Sequence, residues 1–127
     1  MAVNSKRKGK TGELELARKI REHGYDVRRS VQYNGKEEDG QADLLGLSGI
    51  HIECKRTERL NIYDAVNQAK RDSSGKDQIP VVFHRKNNCE WLAIMPLDDF
   101  MNLYRAYETD LFLKGRECDD RTECNPN

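Results

Sequence analysis

Charged and apolar residues alternate along the stretch GIHIECKR, residues 49–56. Because successive side chains of an extended strand point to opposite faces, the isoleucines and Cys54 share an apolar face, while Glu53 and Lys55 share an ionised one. A strand that packs in a core can carry such charges only if they find partners, since burying an unpaired charge is costly. Glu53 and Lys55 are therefore the first candidates for a chemical site.

A second carboxylate can reach the same place from a helix. The segment GELELARKIREHG, ended by Gly24, predicts an amphipathic helix, and Glu13 lies in the middle of its apolar stripe. Glu15 lies on the opposite side and is expected to face solvent, while Gly9 lies near the stripe and is expected to permit a close approach. The alternative for Glu13 is a first-turn acid, which requires that the helix begin near Thr11.

A third carboxylate, Asp43, depends on the register of a hairpin. The stretches ADLLGL and IHIECKR predict two strands joined by a turn that ends at Gly49. A two-residue turn would pair Asp43 with Cys54. A three-residue loop over residues 47–49, with the glycine in a left-handed bulge position, would instead place Asp43 opposite Glu53. The glycine in third place favours this second register.

Three carboxylates cannot crowd together unpaired, because like charges a few ångströms apart disfavour one another's ionisation. A hard divalent cation resolves the conflict. Mg²⁺ prefers a couple of carboxylates, carbonyl oxygens and retained waters, which Asp43, Glu53 and the carbonyl of Cys54 could supply. The ammonium of Lys55 could then orient or deprotonate a water and stabilise negative charge that grows on a phosphate.

The elements that must position these residues follow the order α, β, β, β, α, β, β, α. After the first hairpin, NIYDAVNQAKRD predicts a helix with Asn61 as N-cap and Gln68 at the edge of its apolar stripe. IPVVFHR and EWLAIMP predict a second hairpin, and LDDFMNLYRAY predicts a last helix. This order favours an α/β fold with a mixed five-stranded β-sheet flanked by helices. His51 and His84 are expected to be strand residues rather than ligands or bases.

Positive charge is concentrated near the N-terminus. The formal net charge is zero, yet residues 1–36 hold ten Lys or Arg against four Asp or Glu. Clustered positive charge attracts phosphate, although a solvated basic tail is the alternative. The candidates for DNA contact are Arg7, Lys8, Lys10, Arg28, Arg29, Ser30 and Gln32.

Other features narrow the class of protein. The four cysteines show no C-x₂-C spacing, so we expect reduced thiols rather than a zinc site or disulfides. No apolar run approaches the roughly 20 residues of a membrane span, and the N-terminus lacks the apolar segment of a signal peptide. We therefore expect a cytoplasmic protein with no membrane association and no small-molecule cofactor.

The spacing D-x₉-E-x-K, from Asp43 through Glu53 to Lys55, resembles the motif of the PD-(D/E)xK nuclease superfamily. The segment KGKTGELEL, with its G-x-x-x-E spacing from Gly9 to Glu13, is similar to the first helix of archaeal-type Holliday junction resolvases. The stretches that follow it resemble small phage-type resolvase-like nucleases, and the likeness covers residues 7–105. Alanine precedes Asp43 where the motif has proline, a departure that removes no ligand.

The resemblance implies a restriction-endonuclease-like core in one nuclease domain over residues 1–117, followed by a polar tail over residues 118–127. It implies that Asp43 and Glu53 bind a metal, that Glu13 binds or supports it, and that Lys55 and Gln68 belong to the catalytic site. The implied metal is Mg²⁺, for which Mn²⁺ is expected to substitute.

The implied activity is the resolution of Holliday junctions, which are four-way DNA junctions, by symmetric phosphodiester hydrolysis. The implied enzyme is a homodimer acting in DNA recombination and repair, in a prokaryotic or phage-infected cell. Two alternatives stay open. One is a nuclease of the same fold that acts on duplex, nicked or flapped DNA, and the other is a non-catalytic module that binds DNA junctions.

Overall fold

The computed structural model describes the backbone of residues 5–30 and 41–119, and the side chains of residues 9–30 and 41–115. Its eight elements are α1 (Ser5–Arg21), β1 (Arg28–Arg29), β2 (Leu44–Leu45), β3 (Ile50–Arg56), α2 (Ile62–Ser73), β4 (Ile79–Arg85), β5 (Leu92–Ile94) and α3 (Leu97–Asp119). They follow the predicted order. The chain divides into two compact units, Met1–Pro96 and Leu97–Asn127, and each is described by itself below.

The first unit is built on a mixed sheet of five strands in the order β1-β2-β3-β4-β5. Strand β3 pairs with β4 in parallel, whereas the other neighbouring strands pair antiparallel. A parallel pair needs a crossover connection, and α2 provides it between β3 and β4. The prediction of a mixed five-stranded sheet in an α/β fold is confirmed.

The hairpin between β2 and β3 has the register that the three-residue loop requires. Leu44 pairs with Ile52, and Gly49 has a φ of +81°, in the left-handed region that favours glycine. Carried on by one residue, this register places Asp43 beside Glu53. The geometry of a single turn therefore decides which side of the sheet the aspartate joins.

Helices cover both faces of the sheet, and the alternation of β3 divides its side chains between them. The helix α1 buries Leu16 and Ala17 against Ile52 on one face, while α2 buries Ala65 and Ala69 on the other. The helix α2 begins as predicted, since the side chain of its N-cap residue, Asn61, accepts a hydrogen bond from the N–H of Asp64 at 3.1 Å. The ionised face of β3 consequently lies under α2.

The helix α1 begins at Ser5, well before Thr11, so Glu13 lies beyond its first turn. This start excludes the interpretation of Glu13 as a first-turn acid. The described residues show no close approach at Gly9, because a Cβ there would meet none of their atoms within 4 Å. The close approach is at Gly12, where a Cβ would lie 2.6 Å from the Cβ of Arg56. The helix α1 therefore passes the end of β3 at Gly12, about one turn beyond Gly9.

Some elements differ in length from the prediction. Of the strand expected within residues 25–33, the described part contains Arg28–Arg29, while residues 31–40, including the acidic loop NGKEEDG, lie outside that part. The last helix is longer than expected, because α3 continues through helix-favouring residues as far as Asp119. Its extension includes an ion pair between Asp110 and Lys114 at 3.0 Å. Within the described ranges, no helix has the length and apolar character that crossing a membrane requires.

Two glycines in α1 offer a matched test of the packing between α1 and β3. Gly12→Ala should destabilise the protein by about 1–3 kcal/mol, because its methyl group would push the helix away from the backbone-proximal part of Arg56. Gly9→Ala, in the same helix but in open space, should stabilise it by about 0.5–1 kcal/mol through helix propensity. Urea unfolding measures both. Equal effects of the two substitutions would contradict this account of the contact.

Candidate active site

Asp43 is anchored to the neighbouring strand through its side chain. The backbone N–H of Cys54 donates to Oδ2 of Asp43 at 2.7 Å. Burial and the carboxylates of Glu53 and Glu13 raise the pKa of Asp43 to about 7, against the opposing effects of this hydrogen bond and the ammonium of Lys55. Burial and the neighbouring acids therefore disfavour the ionised form of Asp43.

Glu53, Lys55 and Gln68 meet on the face of the sheet that α2 covers. Glu53 is only 4% exposed, and its Oε2 lies 4.0 Å from Nζ of Lys55. The same ammonium donates a hydrogen bond of 3.0 Å to Oε1 of Gln68, which lies 13 residues later, in α2. The structure thus brings these three predicted site residues together, and Gln68 holds the end of the Lys55 side chain.

Glu13 is bound to an arginine. The guanidinium of Arg29 donates from Nε to Oε1 of Glu13 at 2.7 Å, which ties α1 to β1. Glu13 is still close enough to Asp43 to contribute to the raised pKa of that aspartate. It therefore lies at the margin of the site, with its charge partly compensated by Arg29.

Glu15 does not face solvent, contrary to the expectation from the helix pattern. Its carboxylate accepts a hydrogen bond from Nε of Arg56 at 3.3 Å and also forms an ion pair with Arg85. The arginines stand at the ends of β3 and β4, beside α1. The helical period predicts only the apolar stripe of α1. The tertiary structure brings two arginines, Arg56 and Arg85, to a second side of this helix.

The predicted DNA-contact residues have different environments. Lys10 and Arg28 are exposed, whereas Arg29 is engaged by Glu13. The hydroxyl of Ser30 donates to the carbonyl of Ala42 and so holds β1 against the start of β2. Three further candidates have side chains outside the described residues: Arg7, Lys8 and Gln32.

His51 is part of the same polar face, although it was expected to be an ordinary strand residue. It is fully buried, and its Nε2 lies 3.1 Å from Oε1 of Glu53. Asp72 of α2 completes a group whose possible ligand atoms all lie within 4.8 Å of one another. The sequence contained a signal for this group, since His51 alternates with Glu53 along β3 and Asp72 follows Gln68 by one helical turn.

The donor atoms at the site fit a divalent cation. Asp43 and Glu53 offer hard oxygen ligands, and the pKa of Asp43 is raised first by burial and then by the neighbouring carboxylate of Glu53. Among the residues that the structure describes, however, the carboxylates of Glu13, Asp43 and Glu53 do not gather as tightly as the group that contains His51.

The sequence of the chain matches the family described as "Phage putative PDDEXK endonuclease" over residues 4–123. The chain belongs to this family. As a PDDEXK endonuclease it is a nuclease, in agreement with the family resemblance of its D-x₉-E-x-K motif. No curated protein matches the sequence.

A solved structure shares the fold of this PDDEXK endonuclease. It is Hjc of Archaeoglobus fulgidus, a Holliday junction resolvase from an archaeal hyperthermophile, with a TM-score of 0.53 at 18% sequence identity. The similarity covers 68% of this chain and 75% of that chain. At so low an identity the likeness establishes the fold, and the predicted nuclease architecture is thereby confirmed.

Replacing Asp43 in the metal-free PDDEXK endonuclease should change the pH dependence of stability. Because the pKa of Asp43 is about 7 when folded and 3.8 ordinarily, its ionised form opposes folding, and this cost grows as the pH rises from about 4 to 7. Asp43→Asn keeps an oxygen for the Cys54 N–H but no charge. It should raise the free energy of unfolding by about 1–3 kcal/mol at pH 7.5 and by little at pH 4.5.

Urea unfolding in EDTA at the two pH values measures this difference. Asp26→Asn is the matched control, because Asp26 is exposed and its replacement should give no such pH-dependent gain. An Asp43→Asn gain that is equal at both pH values would show that the carboxylate is not destabilised by its surroundings.

Proposed function

We propose that this protein is a Mg²⁺-dependent endonuclease that resolves four-way DNA junctions by symmetric phosphodiester hydrolysis. The observation that carries the proposal is the placement of Lys55, whose ammonium lies 4.0 Å from Glu53 and 3.0 Å from Gln68. The positive charge of Lys55 also lowers the pKa of the partly buried carboxyl of Asp43, against the larger effects that raise it. Two acids and a held lysine are the groups that hydrolysis of a phosphodiester needs.

In this proposal Asp43 and Glu53 hold the metal and Glu13 supports it. When bound, Mg²⁺, or Mn²⁺ in its place, would polarise the phosphodiester and lower the pKa of a coordinated water. The hydrogen bond from the Cys54 N–H keeps the carboxylate of Asp43 in one orientation, at 2.7 Å. Asp43 is thus pre-organised by the backbone of β3, which reduces the cost of ordering it on binding.

Lys55 is proposed to act on the water and the phosphate. Its ammonium has three donors, and Gln68 accepts one of them, so two remain for a water and a phosphate oxygen. A donor held in place stabilises negative charge as it develops without further reorganisation. Gln68 is a positioning residue in this scheme, because it acts through Lys55.

The proposed DNA path follows the basic N-terminal third of the chain. Contacts from basic side chains to phosphates position the duplex without reading its sequence. The residues proposed for it are Arg7, Lys8, Lys10, Arg28, Arg29, Ser30 and Gln32. The ion pair of Arg29 with Glu13 would place this path next to the acidic site.

A homodimer is proposed because a symmetric pair of cuts needs two active sites. The helix α3 supports this, since it carries an exposed apolar seam at alternating spacings of three and four residues, formed by Leu97, Phe100, Tyr104, Tyr107 and Leu111. Such a repeat is typical of helices that pair along a coiled-coil seam. We propose that the α3 helices of two copies pack together along it. The proposed setting is DNA recombination and repair in the cytoplasm of a prokaryotic or phage-infected cell.

Cleavage assays on a four-way junction and on a linear duplex of the same arm sequence test the activity. The wild type should nick the junction symmetrically with Mg²⁺ and should be inactive in EDTA. Lys55→Ala should lower the cleavage rate by about 10²–10³-fold, as expected for removal of a donor that stabilises the transition state, and Asp43→Asn should abolish cleavage. Lys86→Ala, at an exposed lysine, is the matched control and should cut normally.

The outcomes separate the alternatives. Equal cutting of the linear duplex would overturn the assignment to junctions and leave a nuclease of broader substrate range. Tight binding of the junction without cleavage at any metal concentration would instead show a DNA-binding module. A preference for nicked or flapped substrates in the same assay would redirect the proposal to those structures.

The seam on α3 is tested by light scattering after size exclusion. The wild type should elute with twice the 14.7 kDa mass of the chain. Tyr104→Glu together with Leu111→Glu should give monomers, because two charges would be buried at the seam. Asn102→Glu lies on the other side of the helix and should leave the dimer intact. A monomeric wild type, or a dimer that survives the double substitution, would rule out this seam.

A further inference from the structure

His51 lies two residues before Glu53, on the same face of β3. It is the most deeply buried ionisable residue of that strand. Its side chain has no exposed surface, and among the described residues its Nδ1 has no hydrogen-bond partner. A buried nitrogen without a partner costs about 1–3 kcal/mol, so native structures seldom keep one without a use. The ring therefore keeps one buried nitrogen without a partner, beside the nitrogen that contacts Glu53.

The group of His51, Glu53 and Asp72 has the composition of a metal site. Nε2 of His51 and Oε1 of Glu53 are 3.1 Å apart, and an oxygen of Asp72 brings three possible ligand atoms within 4.8 Å of one another. Two ligand atoms that each lie about 2.1 Å from one ion are about 3.0–3.5 Å apart, so the observed separation suits a shared ion. Asp72 is partly exposed and offers an approach from solvent.

The two oxygens of Glu53 face different neighbours. Oε1 lies beside His51, whereas Oε2 is the oxygen nearest to Lys55, at 4.0 Å. One carboxylate can therefore serve two sites at once, one on each side. The site with Asp43 offers oxygen ligands, and the site with His51 adds an imidazole nitrogen.

We propose that His51, Glu53 and Asp72 form a second cation site, which takes a divalent transition metal such as Mn²⁺ or Zn²⁺ in preference to Mg²⁺. The preference follows from the ligands, because imidazole binds transition metals well while Mg²⁺ demands oxygen ligands and keeps its waters. Binding at this site stands by itself. Its effect on cleavage rests on the proposed function, since an ion that draws on Glu53 changes the charge available to the active site.

Titration with Mn²⁺ tests the site, because thiolates prefer softer metals and the four cysteines of the chain would complicate a zinc titration. Excess Mg²⁺ fills the sites made of oxygen alone. Under that condition, electron paramagnetic resonance of unbound Mn²⁺ counts the Mn²⁺ ions that the chain retains. The wild type should retain one Mn²⁺ per chain. Asp72→Asn and His51→Gln should each weaken that binding by at least about tenfold.

Two controls locate the ion. Asp43→Asn should keep most of the Mn²⁺ binding, because it alters only the other side of Glu53, and His23→Gln, at an exposed histidine, should keep all of it. Asp72→Asn decides the matter if His51→Gln fails to fold, since Asp72 is not buried. Unchanged Mn²⁺ affinity in Asp72→Asn, or its loss in Asp43→Asn, would overturn the second site.

The result is independent of the cleavage assay. Mn²⁺ retained through His51 and Asp72 by a protein that cuts no DNA would uphold the site and reject the proposed function. A protein that cuts junctions but retains no Mn²⁺ in excess Mg²⁺ would reject the second site and uphold the proposed function.

Discussion

A strand buried on both faces can carry ionised side chains only if its neighbours compensate them, and the structure around β3 follows from this constraint. One face of β3 supplies Ile52 to the core under α1. The other face carries Glu53, which is 4% exposed beneath α2. The helix α2 places polar residues here instead of apolar ones. Gln68 accepts a hydrogen bond from Lys55, and Asp72 lies near His51.

The surroundings of Asp43 disfavour its ionised form. Asp43 is partly buried and held by a backbone N–H, yet burial, and after it the carboxylates of Glu53 and Glu13, raise its pKa to about 7. The nearby ammonium of Lys55 donates to Gln68 and lies 4.0 Å from Glu53. A carboxyl whose pKa is raised by burial and by neighbouring acids marks a candidate functional site rather than a surface ion pair.

Much of the fold was predictable from local patterns. The order of elements and the N-cap at Asn61 follow from periodicity and capping chemistry, which act over a few residues. The register of β2 on β3 was predictable for the same reason, because Gly49 in third place favours one turn geometry. The length of α3 was underestimated, since the predicted helix ended at residue 107 and α3 continues to Asp119.

What the sequence by itself determined is the alternation along β3 and the turn before it, which together put Asp43, Glu53 and Lys55 on one side of the sheet. These are local consequences of backbone geometry, so no knowledge of the packing was needed. Only the tertiary structure decided the partners that come from distant segments: the arginines that hold Glu15, and the helix residue that joins His51. Such contacts depend on where one element crosses another, and a helical or strand period carries no information about that crossing.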